Sequence, residues 1–502
     1  MTNNTPGEPR ATTVPVTPNS HIAPQDPSGK TFFGQPRMLS HLFSVEMWER
    51  FSFYGMQGLV LYYMYYAAVD GGLGIPENVA VGIVGAYGGS VYLSSILGAW
   101  IADRLLGSER TMFYSALLIM AGHISLALLP SVAGLAIGLI CIAIGSGGLK
   151  TTCVDMVGHL YEREDPRRDA GFSLYYMGVN IGGLAGPLLT GAAWEAWGFH
   201  FGFGLAAIGM AIGLILYTRA RRKLPQSIHH VPNPLPRSEY GKWITIALAA
   251  VAIIAVAALL GVLNAANLAN VITVVVILAA IAIFTMLLRD RDLSSDEHSR
   301  VISFIPMFIA TAAFFALFQQ QFTVIAIYAD TRLNLNLFGW EMPPSWVQSI
   351  NPVFIILLAP VFAAMWTKLG RRQPTTPVKF GLALLLIGAA FLTFLPMVGH
   401  VSVPLMWIAL ILLIATLGEL MLSPVGLSLT TKLAPNKYPA QMVALNNLAV
   451  SLGTTLSGVL AVYYTSDTEG AYFGTLGLIT AALGVVLLLL AKPITRLMRG
   501  VR

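Results

Sequence analysis

Residues 242–263, KWITIALAAVAIIAVAALLGVL, and residues 268–288, LANVITVVVILAAIAIFTMLL, are separated by a turn of about four residues and hold almost no polar side chains beyond Thr245 and Thr273. About 20 mostly apolar residues in a helix cross the hydrocarbon core of a bilayer, so each run is long enough to span and the pair forms a hairpin. Polar stretches at 219–241 and 289–299 bracket it. The same length rule, applied outward, predicts six helices on either side, between residues 39 and 221 and between 300 and 495, fourteen in all. The hairpin reads as an insertion between two six-helix halves of an all-α polytopic membrane protein.

Composition agrees with this reading. The chain of 502 residues is 56% hydrophobic and 11% charged, with a mean hydropathy of +0.70. Soluble domains carry about 25% charged residues, so this chain cannot cover a water-facing surface, and it is no disordered polymer. The net charge of +6 would suggest nucleic acid in a soluble protein. Here the cations gather in alternate loops, among them Arg104, Arg110, Arg163, Arg167, Arg168, Arg219, Arg221, Arg289, Arg291, Lys368, Arg371, Lys432 and Lys437. The opposite loops 67–78, 130–131, 399–402 and 465–470 have no Lys or Arg, and Arg332 is the exception. Excess Lys and Arg mark cytoplasmic loops, so both termini of a multi-pass protein of the cell membrane are expected in the cytoplasm. No nucleic-acid partner is expected.

Residues 1–37, with Pro6, Pro9, Pro15, Pro18, Pro24, Pro27 and Pro36, read as a flexible cytoplasmic tail and not as a cleaved signal. The first bundle is expected at 38–222, linkers and hairpin at 223–298, and the second bundle at 299–502. Two cysteines, Cys141 and Cys153, exclude a disulfide framework and a multi-thiolate metal site. His159, His200, His229, His230 and His298 fall near loops without metal-ligand spacing.

Charges inside the spans carry the functional information. Glu46, Glu49, Arg50, Lys150 and Glu419 lie deep in predicted helices, where each costs roughly 2.5–3.5 kcal/mol and all five, unpaired, on the order of 12–17 kcal/mol. They must pair or face a wet cavity. Glu46, Glu49 and Arg50 share one helix face at i, i+3 and i+4. Arg50 can bridge one carboxylate and leave the other for a partner across the bundle; a purely structural triad is the alternative. Lys150 follows Gly145-Ser-Gly-Gly148, small residues that permit close helix approach, and Glu419 is the candidate partner from the second half. Three carboxylates against two cations leave one negative charge, which one bound proton would neutralise. A charge moving inward gains about 2.3 kcal/mol per 100 mV, so protons are the expected coupling ion, with no other cofactor.

Two six-helix halves around a midplane cavity are the architecture of the major facilitator superfamily. The segment GAWIADRLLGSER at 98–110 resembles that superfamily's motif after its second helix, with Asp103 and Arg104 expected to brace neighbouring helix ends. More specifically, Glu46-Met-Trp-Glu49-Arg50-Phe51, Tyr175-Tyr176-Met-Gly-Val-Asn180-Ile-Gly182-Gly-Leu184 and Glu419-Leu-Met-Leu-Ser423-Pro424 resemble signatures of the proton-dependent oligopeptide transporter family. Lys150 stands at that family's helix-4 lysine, Tyr92 at its helix-2 tyrosine, and the extra hairpin is similar to its bacterial members.

The resemblance implies a zwitterion clamp. Lys150 would hold the C-terminal carboxylate of a small peptide and Glu419 its N-terminal amine, both through charge-assisted bonds. Asn180 and Asn351 would meet the peptide amides, and Tyr54, Tyr92 and Ser423 would complete the polar lining. In the empty state Lys150 and Glu419 would pair across the cavity, while Glu46, Glu49 and Arg50 couple protonation to that gate.

Several positions depart from the family pattern. Where it usually has Tyr, Arg, Pro-Asn and two Trp, this chain has Phe53, Gln57, Thr151-Thr152, Phe315 and Asn446, and its helix-7 acid is Gln319. A Gln57–Gln319 hydrogen bond would replace an outer ion pair and cost less to dehydrate. It also removes a cation from the carboxylate end of the clamp, and Asn446 makes one side-chain pocket more polar or roomier. A modified or less anionic cargo is therefore an alternative to ordinary dipeptides, and a non-transporting membrane receptor on the same fold is another.

Asp155 reads as the partner of an inner-loop arginine, and His123 as a satisfied core histidine. Ser423-Pro424 reads as a local helix break whose freed carbonyls could line a cavity. No nucleophile–base or metal constellation suggests an enzyme, and nothing requires more than a monomer.

Overall fold

In hydrocarbon every backbone N–H must be satisfied within its own segment, so apolar stretches become helices whatever their intrinsic propensity. The computed structural model describes residues 31–161, 165, 167–221, 226–337 and 339–501; the expected tail lies largely outside the described residues. The first half comprises α1 Met38–Tyr65, α2 Glu77–Ile101, α3 Ser108–Leu128, α4 Val132–Gly158, α5 Arg168–Trp197 and α6 Phe199–Ala220. The hairpin is α7 Tyr240–Leu259 and α8 Leu268–Arg289. The second half comprises α9 Ser295–Phe318, α10 Val324–Arg332, α11 Ile350–Leu369, α12 Thr376–Leu392, α13 Leu405–Leu433, α14 Pro439–Ala461, α15 Glu469–Leu489 and the short α16 Ala491–Leu497.

α9 and α10 make one span, interrupted by a tight turn at Gln319–Phe322 and by Thr323 at φ −125°, ψ −97°. The membrane-length helices among the described residues therefore correspond to the fourteen expected. Twelve are apolar enough to cross on composition alone. The other two are α1 and α5; α1 packs along α5 and α6 and carries the buried ions. Among the described residues, paired strands are confined to two-residue pieces, Thr31–Phe32 with Gln35–Pro36, Leu333–Asn334 with Val403–Pro404, and Asn336–Leu337 with Trp340–Glu341.

The expected break at Ser423-Pro424 is absent. α13 runs through Pro424; proline removes one backbone bond, a loss that long membrane helices tolerate when neighbours re-satisfy the carbonyl. The break falls at Gln319–Thr323 instead.

The halves meet along α2 and α14, where side-chain-free backbones come together. A Cβ on Gly85 would meet the Gly458 backbone, Ser451 Oγ donates to the Gly89 carbonyl at 2.8 Å, and Asn447 Nδ2 donates to Ser95 Oγ at 3.0 Å. α8 leans on this seam, and α7 lies outside it, touching α2 through the Trp100 and Trp243 rings with centroids 4.7 Å apart.

At the end remote from the termini the halves are bolted together. Tyr62 OH donates to the Ala326 carbonyl at 3.1 Å, and Tyr65 and Tyr66 both donate to Asp330. Trp346 Nε1 donates to the Leu188 carbonyl at 2.9 Å and Ser349 Oγ to that of Leu184 at 3.0 Å. Arg332, the cation out of place in the loop pattern, lies at this end and is ion-paired at 3.1 Å with buried Glu469. Midway along the spans Lys150, Glu419, Tyr54 and Tyr92 keep partial exposure. These four residues mark the central site, and the bolted end closes it on the side away from the termini.

Candidate functional site

The i, i+3, i+4 spacing on α1 brings Glu46, Glu49 and Arg50 onto one buried face, with exposures of 3%, 0% and 5%. Arg50 Nε lies 3.1 Å from Glu46 Oε1 and 2.6 Å from Glu49 Oε2. The expectation that it would bridge a single carboxylate is corrected: one guanidinium reaches both, because both flank it on the same face. Ser146 Oγ, from α4, donates to Glu49 Oε1 at 3.1 Å, and the Cys153 and Tyr175 side chains lie next to Glu46. The Arg50 guanidinium also stands 5.1 Å from the Phe53 ring centroid. Two carboxylates and one guanidinium, sealed from water, leave one formal negative charge that low dielectric makes costly. The arrangement can accept one proton and become neutral.

Lys150 and Glu419 are not paired. Lys150 Nζ rests 4.1 Å from the Tyr92 ring centroid, a cation–π contact within its own half. Glu419 Oε2 accepts from Asn351 Nδ2 at 3.3 Å, and the same nitrogen donates to Thr416 Oγ1 at 2.9 Å. The expected Lys150–Glu419 ion pair is thus replaced by separate partners, each within the residue's own half. Of the remaining lining candidates, Tyr54 stacks on Phe322 with centroids 6.3 Å apart. Asn180 Nδ2 is spent on the Tyr176 carbonyl at 2.9 Å, which leaves its oxygen for other partners. Ser423 Oγ has no partner among the described residues. Asn446 faces Gly426 on α13.

These features can be set against known proteins. The family model for the POT family, PTR2, matches residues 109–476. The di-/tripeptide transporter of Lactococcus lactis subsp. cremoris is 40% identical over 491 residues, covering 94% of this chain and 98% of that protein. This chain belongs to the POT family. A crystal structure of a mutant of the peptide transporter POT in complex with alafosfalin superposes with a TM-score of 0.90 at 44% identity, over 95% of this chain and 98% of that one. A POT family transporter in complex with 5-aminolevulinic acid gives a TM-score of 0.89 at 38% identity, over 94% and 99% of the two chains.

As a POT family member the chain shows its own version of the outer contacts. Gln57 is buried, but no hydrogen bond joins it to Gln319 among the described residues; Gln319 Nε2 donates to Thr454 Oγ1 at 3.4 Å. The expected glutamine pair is corrected to a bond between α9 and α14, since the tight turn at 319–322 directs the amide toward α14. Its neighbour Gln320 accepts from Tyr472 OH at 2.7 Å.

On the terminal side Asp103 and Arg104 offer their carbonyls to the amides of Asn233 and Leu235 at 3.0 and 2.8 Å. They clasp the linker to the hairpin, and the Arg104 guanidinium lies 3.9 Å from Glu239 at the start of α7, a neighbouring helix end. Asp155 accepts from Ser108 Oγ at 2.6 Å and sits 3.6 Å from His159 Nδ1, and among the described residues no arginine pairs with it. His123 is fully buried, and among the described residues neither ring nitrogen has a hydrogen-bond partner, which corrects its reading as a satisfied core histidine. No cluster of three or more His, Cys, Asp or Glu that could hold a metal occurs among the described residues.

Sequence reasoning missed Ser146, Thr416 and Thr454 as partners of Glu49, Asn351 and Gln319. Ser146 was within reach, lying four residues before Lys150 in the glycine run. Thr416 and Thr454 carry no motif, and only helix rotation brings them to their partners.

Proposed function

We propose that this protein is a proton-coupled symporter that imports di- and tripeptides by alternating access. The observation that carries this reading is the separation of Lys150 and Glu419. They stand on opposite halves, each retained by a neutral partner and free to exchange it for a peptide terminus. Lys150 receives the carboxylate and Glu419 the amine, with Asn180, Asn351, Tyr54, Tyr92 and Ser423 lining the space between. Glu46, Glu49 and Arg50 hold the coupling proton. The loop cations favour cytoplasmic termini, and with the opposite end bolted the halves would stand in an inward-facing state. The bolted end at Tyr62, Tyr65, Tyr66 and Asp330 would open when the halves rock.

A second reading, a carrier of modified or shorter zwitterions, is favoured by the uncharged Gln57 and Gln319 and by the family relative that binds 5-aminolevulinic acid. Dialanine uptake into proteoliposomes under an inward proton gradient and a negative-inside potential tests both. Concentrative uptake that collapses with a protonophore supports the first. Absence of uptake, and of dialanine competition against 5-aminolevulinic acid, overturns it in favour of the second.

A further inference from the structure

A cavity of about 620 Å³ opens on the terminal side, away from the central site, lined by Glu109 and Arg110 of α3, Thr218, Arg219 and Arg221 at the end of α6, and His229. Its floor is fixed. Glu109 is 1% exposed and takes both Arg221 Nε at 2.7 Å and Nη2 at 3.2 Å. His229 Nδ1 lies 3.4 Å from the same carboxylate, and the Arg221 guanidinium is stacked 3.9 Å from the Phe113 ring centroid. The one acid is thereby consumed by Arg221 and His229.

The rim is different. Arg110 and Arg219 are exposed, and neither has an acidic partner among the described residues. Arg110 moreover occupies the first turn of a 21-residue helix, where the helix dipole disfavours a cation and favours an anion. From this rim two apolar ridges run into the membrane zone. Tyr114 and Leu117 follow Arg110 on one face of α3, and Ile215 precedes Arg219 on α6, with exposures of 56%, 41% and 50%.

We propose that this cavity binds an anionic phospholipid, its phosphate held between Arg110 and Arg219 and its acyl chains laid along Tyr114, Leu117 and Ile215. A soluble phosphate would use the guanidiniums alone; the apolar ridges that continue from them select a lipid. Basic pockets at cytoplasmic helix ends suit such headgroups, and the volume is in the range of ligand sites.

The test is titration of the purified full-length protein with phosphatidylglycerol and with phosphatidylcholine, read by native mass spectrometry. Selective retention of phosphatidylglycerol is expected, weakened about tenfold or more in R110Q/R219Q. R289Q/R291Q, which removes the same charge from exposed arginines elsewhere, should leave it unchanged. Equal retention of the two lipids, no loss in R110Q/R219Q, or the same loss in both double variants overturns the proposal. Inorganic phosphate that binds at the site and displaces phosphatidylglycerol at millimolar concentration overturns it in favour of a soluble anion. The readout is binding, so failure of peptide transport would not affect it.

Discussion

Ser146 Oγ on α4 donates 3.1 Å to Glu49 Oε1 on α1, and Lys150 lies one turn further along the same helix. One bond thus joins the buried triad to the helix that carries the cavity lysine. A change of charge at Glu49 alters the acceptor of that bond and, through it, the hold on α4. S146A leaves a buried carboxylate oxygen without its donor, and bonds to charged groups are worth about 1.5–3 kcal/mol. The variant should lose thermal stability by that order and shift the pH dependence of uptake, while S146T should restore both. An unchanged pH profile in S146A would show that the Ser146 bond does not carry the coupling.

Neutralising the triad separates binding from coupling. In E49Q the remaining Glu46 and Arg50 sum to zero, so no proton is required to bury them. Counterflow exchange of dialanine should persist and concentrative uptake should fall to background. Proton-driven accumulation in E49Q at the wild-type level would remove Glu49 from the coupling path.

The proposed clamp predicts a chemical signature for each end. K150Q should weaken dialanine binding about tenfold or more, the worth of one bond to a charged group, and should abolish discrimination against a C-terminally amidated dipeptide. E419Q should do the same for an N-acetylated one. Competition binding with the two capped peptides checks the assignment, and a swapped pattern would reverse the orientation of the cargo.

A latch outside the membrane gives a pH dependence with a definite sign. Lys437 Nζ lies 2.8 Å from Asp290 Oδ2 and 2.7 Å from Asp292 Oδ2, and Tyr438 OH donates to Asp290 at 2.6 Å. Hydrogen bonds from Lys437 and then Tyr438 hold the Asp290 carboxyl well below its ordinary 3.8, and hydrogen bonds to Asp290 and Asp292 raise the Lys437 ammonium above its ordinary 10.5. A depressed acid stabilises above its unfolded value and loses that contribution as pH falls; a raised base stabilises below its unfolded value and loses it as pH rises. K437M should therefore lower the unfolding temperature slightly between those limits, with the gap closing in stronger acid. Salt should narrow it too, since the pair is exposed.

The ions were legible because charge in an apolar run is costly and therefore conspicuous. The hairpin was legible because its two runs are almost purely apolar. Their partners were not. Whether Glu419 meets Lys150 or Asn351 depends on how the two halves are set against each other, and spacing within either helix does not encode that. Likewise Ser423-Pro424 carries the sequence mark of a break, yet α13 passes through it, while the break at Gln319–Thr323 arises where Gln320 is drawn to Tyr472 on another helix.

The two glutamines of the outer end allow a decisive cycle. Gln57 is buried on α1, and Gln319 stands at the α9 break with its amide on Thr454. Q57R alone strands a buried cation and Q319E alone weakens a neutral bond and adds an anion; an uncompensated buried charge costs about 3–5 kcal/mol. If the helices approach when the outer end works as a gate, the double variant should recover much of that loss, with a coupling above about 0.5 kcal/mol in thermal unfolding. It should also bind ordinary dipeptides more tightly than the parent, because a cation returns to the carboxylate end of the clamp. Strict additivity of the two losses would mean that Gln57 and Gln319 never meet, and that the bonds of Tyr62, Tyr65, Tyr66, Trp346 and Ser349 hold that end without them.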